Sequence, residues 1–184
     1  MIFEKKYKDL VNLYNGGLYN EIIIQIDNLE NKKIFSPELK NFKGLAYLAL
    51  EDFKKATLVF KEATDQDGKF FKAFNNYGIS LFYDAKYDEA IEKFNKAIEI
   101  NPEYAETYNN KGNLFDHIGK IDGAIKCFKT AINLKPDFFD AKENLIKILT
   151  GDIEVYDDDN EIIRIHNKLK KYSFDYNPQQ KFNI

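Results

Sequence analysis

The stretch FKAFNNYGISLFYDAKYDEAIEKFNKAIEINPEY, residues 71–104, runs without a gap into AETYNNKGNLFDHIGKIDGAIKCFKTAINLKPDF, residues 105–138, and the second aligns with the first along its whole length of 34 residues. A fixed period of this size marks a repeat architecture, in which each unit is one supersecondary element that cannot bury its apolar face alone. Extending the register outward puts Gly44, Gly78 and Gly112 in step, then Ala56, Ala90 and Ala124, then Phe60, Phe94 and Phe128, and then Ala63, Ala97 and Ala131. Pro102 and Pro136 close two of the units, and Tyr19, Phe53, Tyr87, Ile121 and Val155 carry the beat toward both ends.

Each column has a physical reason. A mid-helix glycine costs about 1 kcal/mol relative to alanine, so Gly44, Gly78 and Gly112 need an offsetting gain. Close approach of a paired helix supplies it, and the small alanines allow the same from the other side. Phe60, Phe94 and Phe128 are expected to fill the space between one hairpin and the next. Proline lacks a backbone donor and restricts the residue before it, so the second helix of each pair ends at or just before Asn101 and Lys135.

A large aromatic or apolar residue, a small residue and a terminal proline in helix-turn-helix units of 34 residues resemble the tetratricopeptide repeat (TPR) pattern. The resemblance is strong over 71–138. It extends over 37–70, where Lys40 stands at a usual aromatic position and Gly68 replaces the proline. Residues 3–36 keep only the apolar skeleton Leu10, Leu13, Tyr19, Ile22, Ile26 and Leu29, as a terminal repeat with one unpartnered face should. Residues 139–172 read as a fifth, degenerate pair whose second helix begins around 157–160 and carries Ile162, Ile163, Ile165 and Leu169. The expected fold is therefore all-α: a right-handed superhelix of antiparallel helix pairs, an α-solenoid of about three clear and two degenerate repeats. It forms one domain over 1–172, with repeats near 3–36, 37–70, 71–104, 105–138 and 139–172. The last stretch, 173–184, has turn chemistry at Asn177 and Pro178 and reads as a tail.

In the family that this sequence resembles, the first helix of each pair lines a concave groove that binds peptides. Helical spacing places Lys72, Asn76, Ile79 and Tyr83 on the stripe left free by Phe74, Gly78 and Leu81. Shifting by one repeat gives Glu38, Phe42, Leu45 and Ala49 before it and Glu106, Asn110, Asn113 and His117 after it. Glu4, Lys8, Val11 and Asn15 extend the stripe at one end, and Asp140, Asn144 and Lys147 at the other. Asn76, Asn110 and Asn144 recur every 34 residues, beside Asn41, Asn75 and Asn109. An amide offers donors and an acceptor, so such a ladder can pair with a peptide backbone whatever its side chains. It resembles the asparagine ladder of some TPR superhelices. Solvated asparagine in a chain generally rich in Asn, Ile and Lys is the other reading. The stripe turns from apolar near Phe42, Leu45, Ile79, Phe82 and Tyr83 to polar near Asn110, Asn113, Asp116 and His117. The apolar members are either ligand anchors or extensions of the core. The Lys and Arg clamp that grips acidic chaperone tails is not matched, because Glu38 and Glu106 stand where positive charge is wanted.

The 184 residues, 44% of them hydrophobic, suffice for one domain. A net charge of −3, with Arg164 the sole arginine, leaves no electrostatic footprint for nucleic acid. No apolar window approaches the ~18 residues of a membrane span, and charges interrupt the start MIFEKKYKDL, so a cytoplasmic location is expected. The single Cys127 forms no internal disulfide and reads as a packing residue. No phosphate-loop, H-E-x-x-H or C-x-x-C motif occurs; His117 and His166 fall in different repeats, and Asp157 to Asn160 lack the alternation and glycine of a calcium loop. The sequence thus reads as a non-enzymatic adaptor without cofactor or metal, whose partner is another protein or peptide rather than nucleic acid or membrane. The alternative is a self-associating scaffold, a homodimer formed through the terminal repeats or the tail. The expected partner-binding residues are Asn41, Phe42, Leu45, Lys72, Asn75, Asn76, Ile79, Tyr83, Asn109, Asn110, Asn113, His117 and Asn144.

Overall fold

The computed structural model describes residues 2–150, with side chains from residue 6 onward. The expected second helix of the fifth pair, the segment 157–160 and the tail 173–184 lie outside the described residues, as does the side chain of Glu4. The described residues hold nine helices and no strand: α1 (Ile2–Asn15), α2 (Tyr19–Asn31), α3 (Pro37–Ala49), α4 (Phe53–Gln66), α5 (Phe71–Tyr83), α6 (Tyr87–Ile100), α7 (Ala105–His117), α8 (Ile121–Leu134) and α9 (Phe139–Thr150). First helices from α3 on start at 37, 71, 105 and 139, and second helices at 19, 53, 87 and 121, always 34 apart. The architecture is an all-α solenoid of repeated helix pairs.

Local chemistry explains the boundaries. Ser36 caps α3, its Oγ accepting from the Leu39 N–H, with Pro37 preset at the first helical position. Asp52 caps α4 by accepting from the Lys55 N–H. The second helices α4, α6 and α8 end at Asp67, Asn101 and Lys135, each near φ −135°. There the Asp67 and Asn101 side chains accept the N–H two residues on, an Asx turn that leads into the next repeat.

The first helices α1, α3, α5 and α7 all close in the same way, through a left-handed residue at Gly17, Glu51, Ala85 or Gly119 (φ between 58° and 74°), again 34 apart. In each turn the N–H of that residue reaches the carbonyl three residues back, and the next N–H reaches the carbonyl five back, as Ala85 does to Phe82 and Lys86 to Leu81. Glycine takes this conformation without strain, whereas Glu51 and Ala85 hold it against a steric cost.

The chain divides into two compact units, one ending at Asn110 and the other starting at Lys111, so α7 contributes residues to both. In the first unit α1 packs on α2, α2 on α3, α3 on α4, α4 on α5 and α5 on α6, while α3 also touches α5. Its N-terminal core is Leu10, Ile22, Ile26, Leu29, Leu39, Phe42 and Ala46. A Cβ built on Gly44 would stand 2.5 Å from the Phe60 ring, and one on Gly78 2.7 Å from the Phe94 ring. Each ring is therefore seated on the glycine of its own pair, rather than only between successive hairpins as the sequence pattern suggests. In the second unit α8 packs on α9, and Phe128 sits on Gly112 in the same manner, 2.5 Å from a Cβ placed there. Cys127 is buried, and burial pushes its thiol above the ordinary value, consistent with a packing role.

Candidate partner-binding surface

Helical register brings Lys72, Asn76, Ile79 and Tyr83 to one stripe of α5, with Phe42 and Leu45 on α3 and Asn110 on α7. Lys72 is exposed, its ammonium 6.0 Å above the Phe71 ring; Asn76, Ile79, Leu45 and Asn110 are half-buried. Tyr83 is 58% exposed and stacks on Phe53 of α4, with centroids 5.0 Å apart and planes 15° from parallel. Phe82 and Tyr87 extend this aromatic group, their centroids 5.2 Å from Tyr83 and 6.1 Å from Phe82 respectively. Tyr83 is thus an aromatic platform supported from the preceding repeat.

The asparagines divide into two classes. Asn41, Asn75 and Asn109 are buried, at 8%, 3% and 6% exposure, while Asn76 and Asn110 reach the surface. The first unit joins four of these amides in one chain. Asn110 donates through Nδ2 to Oδ1 of Asn75 at 3.0 Å, Asn75 donates to Asn76 at 3.1 Å, and Asn76 donates to Asn41 at 2.9 Å. The two long links span 35 residues, one more than the repeat, so the buried column of one first helix meets the half-exposed column of the next.

At the preceding junction, α1 to α3, the same two register positions hold Tyr7 and Phe42, whose rings meet edge to face at 5.0 Å. Phe42 is consequently buried (8% exposed), and the aromatic surface at this point is that of Tyr7, 52% exposed and absent from the expected residues. Its signal in the sequence is the same interval of 35 residues.

Beside Phe42, the usual aromatic position is filled by Lys40, and the substitution has a partner for its charge. The Lys40 ammonium lies 2.7 Å from Glu30 of α2 and 2.5 Å from Glu62 of α4, while Lys43 pairs with Asp27 and with the other Glu30 oxygen at 3.0 Å. Burial works against the Glu30 carboxylate, but hydrogen bonds and charge from Lys40 and Lys43 outweigh it and hold its pKa below the ordinary value. Both lysines are in turn held above theirs: desolvation opposes the shift and their carboxylate partners overcome it. The network ties α2, α3 and α4 and leaves these lysines compensated rather than offered to an anionic ligand.

In the second unit Asn113 and Asn144 are half-buried and joined, Asn144 donating to Oδ1 of Asn113 at 2.9 Å, and His117 is exposed near the end of α7. Among the described residues no group of His, Cys, Asp and Glu could hold a metal, and no helix is long and apolar enough to cross a membrane.

Comparison with known proteins places the repeat independently. Models of the tetratricopeptide repeat match residues 37–70 and 105–138, and a further TPR repeat model matches 80–116. No curated protein matches at a significant level. Among solved structures, MamA superposes with a TM-score of 0.70 at 21% identity, covering 98% of this chain and 95% of that one. YrrB, described as a TPR protein with an unusual peptide-binding site, gives 0.65 at 20%, covering 74% and 71%. The first TPR of Spaghetti (RPAP3), bound to the HSP90 peptide SRMEEVD, gives 0.59 at 23%, covering 61% and 90%. At these identities the likeness is one of fold. With the 34-residue period, the glycine and phenylalanine columns of each pair and three matching repeat models, two of them in the register of the period, the chain belongs to the tetratricopeptide repeat family.

Proposed function

We propose that this protein is a non-catalytic adaptor that docks an extended segment of a partner polypeptide along the face of its first helices. The observation that carries this reading is the row of half-exposed amides, Asn76 and Asn110, set in register beside Ile79 and the exposed Tyr83 ring. After its inter-repeat hydrogen bonds each of these amides retains a second N–H and a further acceptor lone pair, the two groups a peptide backbone needs. Tyr83 and Ile79 add apolar area for a side-chain anchor. The same fold carries a peptide-binding site in YrrB and holds an HSP90 peptide in Spaghetti, which supports the reading. That peptide, SRMEEVD, is acidic, whereas Lys72 here is flanked in register by Glu38 and Glu106, which suits a neutral segment with an apolar anchor.

The test is a pull-down from native extract with the wild type beside a variant carrying Asn76→Ala, Asn110→Ala and Tyr83→Ala, both verified as folded by circular dichroism. Loss of a specific band in the variant is expected. Recovery of the same proteins by both would overturn the assignment of the docking face.

A further inference from the structure

The amide chain of the first unit runs in one sense: Asn110 to Asn75, Asn75 to Asn76, Asn76 to Asn41. Its buried members, Asn41 and Asn75, have almost no access to solvent and cannot themselves bind a ligand in this conformation. Asn76 is held from both ends, its Oδ1 accepting from Asn75 and its Nδ2 donating to Asn41, so its amide plane cannot flip without breaking two hydrogen bonds. Asn110 is held by its donation to Asn75. A bare asparagine on a helix surface can present either edge to a ligand; these two present one.

We propose that Asn41 and Asn75 are positioning residues that lock the amides of Asn76 and Asn110 in a single orientation and thereby fix the direction in which a peptide strand lies on the docking face. The inference rests on the peptide-docking reading above. A clamp with its N–H and C=O at fixed places pairs with the C=O and N–H of a strand in one order, and reversing the strand reverses that order. The direction of binding is therefore written in residues that touch no ligand.

The probe is a dodecapeptide selected on the wild-type protein from a random phage-displayed library, synthesised together with its retro sequence, which carries the same side chains on a reversed backbone. Binding is read by fluorescence anisotropy. The wild type should bind the selected peptide at least about tenfold more tightly than the retro peptide, the equivalent of one well-directed hydrogen bond. Asn41→Ala should weaken binding and erode that discrimination. Asn41→Asp, which keeps an acceptor for Asn76 Nδ2, should retain both. In 1H–15N spectra the Asn76 side-chain NH2 pair should shift in Asn41→Ala and stay close to its wild-type position in Asn41→Asp, a distinction that a general loss of packing would not produce. Undiminished affinity and discrimination in folded Asn41→Ala would overturn the proposal while leaving peptide docking intact. Should that variant not fold, equal affinity of the wild type for the two peptides would overturn it alone. Failure to select any peptide on the wild type would remove the docking reading and the inference with it.

Discussion

Tyr7 and Phe42 meet edge to face, ring centroids 5.0 Å apart and planes at 84°, in the two register positions that Asn41 and Asn76 fill one repeat later with a hydrogen bond of 2.9 Å. The same backbone junction is thus closed by an aromatic pair in one place and by an amide pair in the next. Edge-to-face contact places the positive rim of one ring against the negative face of the other, and the amides match donor to acceptor, so neither kind of partner substitutes for the other. Truncating Phe42 to alanine empties a buried site and should cost about 3–5 kcal/mol. Truncating the half-exposed Tyr7 should cost less. A double-mutant cycle by urea denaturation should return a coupling of about 0.5–1.5 kcal/mol between them, and strict additivity would refute the contact.

Ala85 holds a left-handed backbone at φ 58°, where the corresponding residues of two other pairs are Gly17 and Gly119. Strain of about 1–2 kcal/mol at a residue with a Cβ is partly offset by the extra freedom that glycine gives the unfolded chain, about 0.4–1 kcal/mol. Ala85→Gly should therefore stabilise the fold by about 0.5–1 kcal/mol, a rise of a few degrees in Tm measured by calorimetry. A fall in Tm would show that the turn relieves the strain by another route.

Glu30 responds to acid in a defined direction. Burial alone would raise its pKa, but Lys40 and Lys43 hold it below the ordinary 4.5, so its contribution to stability is complete above that value and is lost as pH falls through the lower folded one. Lys40 and Lys43 lie above the ordinary 10.5, where desolvation is outweighed by their carboxylate partners; their contribution is complete below that value and is lost as pH rises through the folded ones. The urea midpoint should be flat across neutral pH and fall at both extremes. Glu30→Gln should be less stable than the wild type at pH 7 and should lose less on acidification. Parallel acid limbs in the two proteins would show that Glu30 does not contribute to that limb.

Thr107 is fully buried at the start of α7, and its hydroxyl has no hydrogen-bond partner. The residues one repeat before and after it are Ala73 and Ala141, both fully buried. An orphan hydroxyl costs about 1–3 kcal/mol in desolvation, so Thr107→Val, which keeps the branched shape, should stabilise the fold by about 1 kcal/mol. Loss of stability on chemical denaturation would mean that the hydroxyl is satisfied by a bound water.

The period, the helix pairs, their ends near Asn101 and Lys135 and the columns of large rings and small residues all follow from the chain read alone, whereas the seating of each ring on the glycine of its own pair does not. The former features repeat along single helices, where spacing of 3.6 residues per turn fixes which side chains share a face. What the tertiary structure decided lies between helices. In the first unit, successive first helices pack with an offset of one residue beyond the repeat, so these amide contacts fall at 35 rather than 34, and this sorts neighbouring asparagines into a buried column and a half-exposed one. It also lays Tyr7 over Phe42, stacks Tyr83 on Phe53 and supplies Lys40 with two carboxylates from different helices. The left-handed turns at Glu51 and Ala85 were equally hidden, because neither residue prefers that conformation and only the closure of the pair imposes it. Periodicity reports which face a residue occupies; the axial offset between packed helices determines what it meets there.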